Sequence, residues 1–275
     1  MGIKRFQIGA AEIGGRRLFA LAGPCVVESA DLCLRVAEKL KAACAARDVP
    51  FVFKASYRKA NRSSGKSFEG LGMDEALAVL ARVKREFGVP ILTDVHETIE
   101  VKAAAEVADC LQIPAFLARQ SALLRACAAS ARAVNVKKGQ FMAPADMAQA
   151  IDKITGAGGD RVMLTERGTT FGYGDLVVDM RGLVIMRSLG WPVVFDATHS
   201  VQQPGGEVTG GLREFIFPLM RAAVACGVNG LFFETHPDPE HALSDAATQL
   251  PLDRMPALLD EAVRVHEAVR EVAHA

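Results

Sequence analysis

Cys25, His199, Glu234, His236 and Asp245 are side chains of the types that bind a transition metal. A thiolate, imidazoles and carboxylates suit Zn²⁺, Fe²⁺ or Mn²⁺. Cys25 follows Gly23 and Pro24 at the close of an apolar run. His199 closes a second run, PVVFDATH, and Glu234 and His236 close a third, GLFFETH. Asp245 lies in the stretch that follows. Glu234 and His236 are two apart, so on a strand they share one face. His236 reads either as a group supporting the ligands or as a substrate contact. Cys33, Cys44, Cys127 and Cys226, on helix-like segments, and Cys110, at a strand start, read as small core residues.

A second group is cationic. Lys54 and Ser56 are followed by Arg58, Lys59, Arg62 and Lys66, with Glu69 the one acid among them. Lys137 and Lys138 close one apolar run and Arg167 closes another. Phosphate calls for several charge-assisted donors, and Arg supplies them in pairs. Two separate clusters predict two anionic groups, one on each of two substrates. Arg58, Lys66 and Lys138 read as ordinary surface charges. Lys54 shares a strand face with Ser56, and Lys137 shares one with Asn135. A lysine facing a buried interior needs a partner, so these two are predicted to be functional. Asp94 with His96, and Asp196 with Thr198, are further same-face pairs. They either move protons or form a hydrogen-bond network that keeps the mouth of the site polar.

These residues sit at the ends of eight short apolar runs: Leu18–Glu28, Phe51–Ser56, Pro90–His96, Cys110–Pro114, Ala133–Lys138, Val162–Arg167, Pro192–His199 and Gly230–His236. Such runs, separated by helix-like segments, read as buried parallel strands. Helical spacing is found over Ala30–Arg47, Met73–Phe87, Thr98–Ala108, Ser121–Ala131, Pro144–Ala157, Asp179–Leu189, Leu212–Cys226 and Leu252–Ala273. Polar chemistry gathered at strand C-termini predicts an α/β fold of the (β/α)₈ TIM-barrel type, with its active site on that face. Its 275 residues suit one barrel domain, since such a domain takes about 250. Residues 1–17 read as a hairpin extension, with arms Lys4–Ile8 and Arg16–Leu21 around a turn-rich Ala10–Gly15. Three connections are long: Tyr57–Gly72, Ser200–Gly211 and Pro237–Pro251. The Gly-rich Gln202–Gly211 is predicted to be a lid.

Lys and Arg number 32 against 32 Asp and Glu, so no global field draws nucleic acid or an anionic membrane. No apolar stretch reaches the roughly 20 residues of a membrane span, and the first residues lack a signal peptide's apolar segment. Six cysteines without a regular framework predict free thiols in the cytoplasm.

Taken together, the strand ends resemble 3-deoxy-D-manno-octulosonate 8-phosphate synthase (KDO8P synthase). The matching stretches are LAGPCVVES (21–29), FKASYRKANRSS (53–64), LTDVHE (92–97), LQIPAFLARQ (111–120), NVKKGQF (135–141), LTERGTTFGY (164–173), FDATHSVQQPGG (195–206) and FFETHPDP with ALSDAATQLPL (232–252). KANRSS (59–64) separates it from the related synthase of the seven-carbon shikimate precursor, which has a Lys-Pro-Arg-Thr-type segment there. The resemblance implies condensation of phosphoenolpyruvate with D-arabinose 5-phosphate and water, feeding lipopolysaccharide biosynthesis. It implies a phosphoenolpyruvate site of Lys54, Ser56, Lys59, Gln112, Ala115, Lys137 and Arg167. Asn61, Arg62 and Ser63 fall to the pentose phosphate, with Arg119 reaching it from a neighbouring subunit of a homotetramer. Of the acid–base candidates, Asp94, His96 and His199 join Lys54, Lys59 and Lys137 as expected catalytic residues. The family's metal-independent form has Asn where Cys25 stands, so Cys25 implies the metal-dependent form, with Cys25, His199, Glu234 and Asp245 as ligands and none for His236. The nearest alternative is a synthase acting on erythrose 4-phosphate. A non-catalytic phosphate sensor would lack site residues, and none of the candidate ligands or phosphoenolpyruvate contacts is missing.

Overall fold

The structure is a computed structural model that describes residues 2–60, 68–204 and 210–272. Eight strands carry the apolar runs: β1 Phe19–Gly23, β2 Phe51–Lys54, β3 Ile91–Asp94, β4 Cys110–Ile113, β5 Ala133–Lys137, β6 Val162–Glu166, β7 Val193–Asp196 and β8 Gly230–His236. Each pairs in parallel with the next, and β8 returns to pair with β1. The sheet is therefore a closed barrel with no free edge, and the (β/α)₈ prediction holds.

Eight helices cover it: α1 Ala30–Ala45, α2 Met73–Phe87, α3 Val101–Val107, α4 Ser121–Ala129, α5 Met147–Thr155, α6 Met180–Ser188, α7 Ile216–Ala225 and α8 Met255–Val272. Helix α1 starts at a Ser29 cap whose side chain accepts the Leu32 N–H. Before α3, α5, α7 and α8 the chain makes a 3₁₀ turn, so the regular helix begins three or four residues later than the apolar spacing suggests. Gly190 and Gly227 end α6 and α7 with φ of 82° and 84°, the left-handed conformation that glycine adopts freely.

The strand alternation sorts the interior into layers. Toward the N-terminal end, Leu21, Val52, Leu92, Cys110, Ala133, Met163, Val194 and Phe232 form one apolar cluster inside the barrel. Two positions further along, the same faces carry Gly23, Lys54, Asp94, Gln112, Asn135, Thr165, Asp196 and Glu234. The outward faces pack with the helices in a second, larger cluster.

The N-terminal hairpin differs from its predicted arms. Its strands are Phe6–Ile8 and Ala11–Ile13, joined through Gly9 at φ 55°. Ala11–Ile13 falls within the stretch read as turn because Ala11 and Ile13 are buried while Glu12 faces outward, the alternation of a strand. Arg16–Leu21 instead leads into β1. Ile8, Ala11 and Ile13 join the interior apolar cluster, so the hairpin closes the N-terminal end of the barrel. No described helix is long and apolar enough to cross a membrane.

Candidate active site

At the C-terminal ends of the strands a cavity of about 440 Å³ opens. Lys54, Lys59, Asp94, His96, Gln112, Ala115, Lys137, Arg167, His199, Glu234 and Asp245 all line it. The buried Phe232 ring lies 3.8 Å from the Lys137 ammonium and 5.3 Å from that of Lys54.

A belt of hydrogen bonds runs strand to strand beneath this cavity. Thr165 Oγ1 donates to Asn135 Oδ1 at 2.7 Å and Asn135 Nδ2 to Gln112 Oε1 at 2.9 Å. Gln112 Nε2 donates to Asp94 Oδ1 at 2.7 Å, and Ser56 Oγ to Asp94 Oδ2 at 2.7 Å. Lys54 Nζ donates to Ser56 Oγ at 3.1 Å and to Glu234 Oε1 at 2.7 Å. The belt fixes rotamers that would otherwise swing freely in a polar mouth. Burial opposes ionisation of Asp94, but Lys54 and Lys59 outweigh it and hold its carboxyl at about 2.

The candidate ligands converge. Sγ of Cys25 lies 3.1 Å from Asp245 Oδ2 and 2.9 Å from Ser244 Oγ. Ligating atoms of Cys25, Glu234 and Asp245 all lie within 4.8 Å of one another. His199 Nε2 faces the same point, 3.5 Å from Glu234 Oε2 and 3.9 Å from Asp245 Oδ2. Its other nitrogen, Nδ1, is 2.8 Å from Asp196 Oδ2, the carboxylate–histidine arrangement that orients a metal-binding imidazole. Glu234 Oε2 is buried without a hydrogen-bond partner, an orphaned acceptor that a cation would satisfy. Asp245 has φ 48°, a conformation uncommon for a residue with a side chain. That donor set fits Zn²⁺, Fe²⁺ or Mn²⁺.

Burial and neighbouring charges shift several groups here. Burial, then the carboxylates of Asp245 and Glu234, push the Cys25 thiol well above its ordinary value. Burial works against the Glu234 carboxylate too, yet His199, Lys54 and Lys59 hold it well below the usual range. Lys137 is pulled down, by burial first, against the attraction of Asp196 Oδ2 at 2.5 Å. Arg167 is buried, and its guanidinium donates to Gln202 Oε1 at the root of the Gly-rich loop. Gln202 and Gln203 pair with Gly210 and Gly211 there.

A family model described as the DAHP synthetase I family matches residues 6–271. The chain belongs to the DAHP synthetase I family. Within that family it is 54% identical over 280 residues to a Burkholderia mallei protein named 2-dehydro-3-deoxyphosphooctonate aldolase, covering 99% of this chain and 97% of that one. A Bordetella petrii protein of the same name is 55% identical over 260 residues, covering 92% of each chain. A third, from Syntrophobacter fumaroxidans, is 50% identical over 268 residues, covering 97% of this chain and 93% of its own.

Several placements in this member of the DAHP synthetase I family bear on the sequence reading, and those of Lys138 and Arg58 correct it. Lys138 is not a surface charge; it is fully buried and paired with Glu166, because strand alternation turns it behind the barrel wall. Arg58 is half-buried and paired with Glu97 and Glu100, and it lines the cavity. His236 stays outside the candidate metal group. Its Nδ1 accepts the Asp238 N–H at 3.0 Å and its Nε2 faces Glu28 at 3.7 Å. The cation and ligand groups interleave, since Lys54 and Lys59 (Nζ 3.7 Å away) both reach Glu234. Arg119 is exposed and does not line this chain's cavity. Asn61, Arg62, Ser63 and Lys66 lie outside the described residues.

Some site residues carried no sequence signal strong enough to single them out. Ser244 precedes a named ligand and touches Cys25. Gln249 accepts the Cys25 N–H and donates to Ser244 O at 2.8 Å, bracing both sides of the cluster. Glu100 accepts the Tyr57 hydroxyl at 2.6 Å and the His96 N–H at 2.8 Å.

Proposed function

We propose that this chain condenses phosphoenolpyruvate with D-arabinose 5-phosphate and water, releasing 3-deoxy-D-manno-octulosonate 8-phosphate and inorganic phosphate, as a metal-dependent, cytoplasmic homotetramer. The observation that carries this reading is one cavity in which four buried cations, Lys54, Lys59, Lys137 and Arg167, border the Cys25–Glu234–Asp245 group and the His199 that faces it. The names of the relatives supply the product class.

Phosphoenolpyruvate carries a phosphate and a carboxylate. Lys59, Lys137 and Arg167 are the donors for them, with Gln112 and the wall at Ala115 fixing the enol plane. The pentose phosphate group falls to Asn61, Arg62 and Ser63, with Arg119 contributed by another subunit. C3 of phosphoenolpyruvate attacks the sugar aldehyde carbon, whose oxygen takes up a proton. The oxygen of water adds at C2. The C2–O bond to phosphate then breaks, leaving the product ketone and inorganic phosphate. Lys137, held by Asp196, is the group assigned to deliver and remove protons, while the same carboxylate orients His199 toward the candidate metal group. Asp94, bound through both oxygens, anchors Ser56 and Gln112, while His96 lines the cavity wall with its Nδ1 turned to Glu100 Oε2 at 3.7 Å.

The residues that would hold a divalent ion are Cys25, His199, Glu234 and Asp245. Such an ion, when bound, supplies Lewis-acid polarisation or orientation of an oxygen.

Phosphate release measured with arabinose 5-phosphate and with erythrose 4-phosphate tests the substrate. Faster turnover of the five-carbon sugar is expected, and preference for the four-carbon sugar would replace this reading by the related synthase.

A further inference from the structure

Lys137 and Arg167, the cavity cations of β5 and β6, each have a neighbour turned the opposite way. Those neighbours, Lys138 and Glu166, meet behind the barrel wall. Both are buried, at 0% and 2% exposure. Lys138 Nζ lies 3.5 Å from Glu166 Oε1 and donates to Thr169 Oγ1 at 3.1 Å, Gly139 O at 3.3 Å and Met142 O at 3.4 Å. Glu166 Oε1 in turn accepts the N–H groups of Arg167 at 3.0 Å and Gly168 at 2.7 Å.

A buried ion pair is seldom the most stable filling for its space; apolar residues of similar volume often do as well or better. What this pair does supply is direction. The carboxylate gathers two successive N–H groups just where the chain leaves β6 and turns at Gly168, with φ 92°. That fixes the backbone from which the Arg167 guanidinium projects. The ammonium ties the same turn to the β5 connection, which also binds it through the Thr170 N–H to Gln140 O at 3.1 Å. Gln140 lines the cavity.

We propose that Lys138 and Glu166 are positioning residues for phosphoenolpyruvate: acting through the backbone, they set the place of Arg167 and of Gln140. The proposal rests on the phosphoenolpyruvate site assigned above. Neither residue lines this cavity, so its effect falls on the substrate assigned to Arg167, not on the sugar. Misplacing a positioning group by about 1 Å is enough to weaken its action by an order of magnitude or more.

The test compares Lys138→Met, Glu166→Gln, the double variant and Lys138→Arg in the full chain, with KM for each substrate and calorimetric binding of phosphoenolpyruvate alone. Expected are a rise in the KM and Kd for phosphoenolpyruvate of about tenfold in each single variant, and a KM for arabinose 5-phosphate within about twofold of the parent. Lys138→Arg should recover part of the loss. If the singles fail to fold, the double variant, which buries no unpaired charge, is read in their place and should show the same split. Unchanged phosphoenolpyruvate binding in a folded variant, or equal shifts for both substrates, overturns the proposal. A parent protein that binds phosphoenolpyruvate but does not turn over the sugar would sink the assigned reaction instead, and the calorimetric arm would still decide the positioning role.

Discussion

Cys25 illustrates how a residue's surroundings define its chemistry. Its thiol lies among the carboxylates of Glu234 and Asp245, which His199, held by Asp196, also faces. Cys25→Ser and Glu234→Gln should each lower the metal retained after purification. They should cost more activity than the roughly 10–100-fold typical of groups that merely support a ligand. Full metal content in both variants, read by elemental analysis, would contradict the ligand assignment. Lys137 tests the cationic side. Lys137→Met leaves Asp196 paired with His199 alone, and kcat should fall by about 10²-fold or more. An unchanged kcat would remove Lys137 from the chemistry. The positions of the candidate ligands and of the inward lysines were legible because strand ends and two-residue spacing expose them. Lys138 was misread because the neighbour of an inward lysine faces the helices, and burial there depends on packing that spacing does not encode.

Among the elements, all eight barrel strands and all eight helices were legible from apolar runs and helical spacing. What the sequence concealed was where regular helix gives way to a 3₁₀ turn, because the same apolar positions serve both. The hairpin arm was concealed as well, since Gly14 and Gly15 after Ile13 resemble the continuation of a turn. That hairpin contributes Ile8 and Ile13, exposed by 1% and 0%, to the interior cluster. Ile13→Ala should destabilise the protein by about 2–5 kcal/mol in denaturant unfolding. Its KM values should stay unchanged, because the hairpin lies at the opposite end from the site. A loss of activity without a loss of stability would show that the hairpin does more than close the barrel. Gly23 is constrained by close approach: a Cβ there would stand 2.0 Å from the Lys54 carbonyl oxygen. Gly23→Ala should therefore displace β2 and with it Lys54, lowering kcat, and full activity in that variant would contradict the tight β1–β2 seam.

Across the whole molecule, buried carboxylates link stability to pH. Asp94 is held at about 2, against an ordinary value of 3.8, so the folded state binds its proton later than the unfolded chain. Its contribution, about 2 kcal/mol, is complete above pH 3.8 and is lost as pH falls toward 2. Asp196 and Glu234 are lowered as well and add in the same direction. Thermal unfolding of metal-free protein should show a Tm that drops steeply below about pH 4, and a Tm that rises on acidification would refute the ion-pair account. The long-range meeting of strand ends from residue 25 to residue 245 is also a property of the closed barrel, inferable from sequence only once closure is assumed. The proposed metal dependence joins this architecture to the proposed reaction. The direct test is phosphate release from phosphoenolpyruvate and arabinose 5-phosphate by chelator-treated enzyme, before and after Mn²⁺ or Zn²⁺ is restored. The account predicts negligible release from the metal-free protein and recovery on addition. Full release without metal would contradict it.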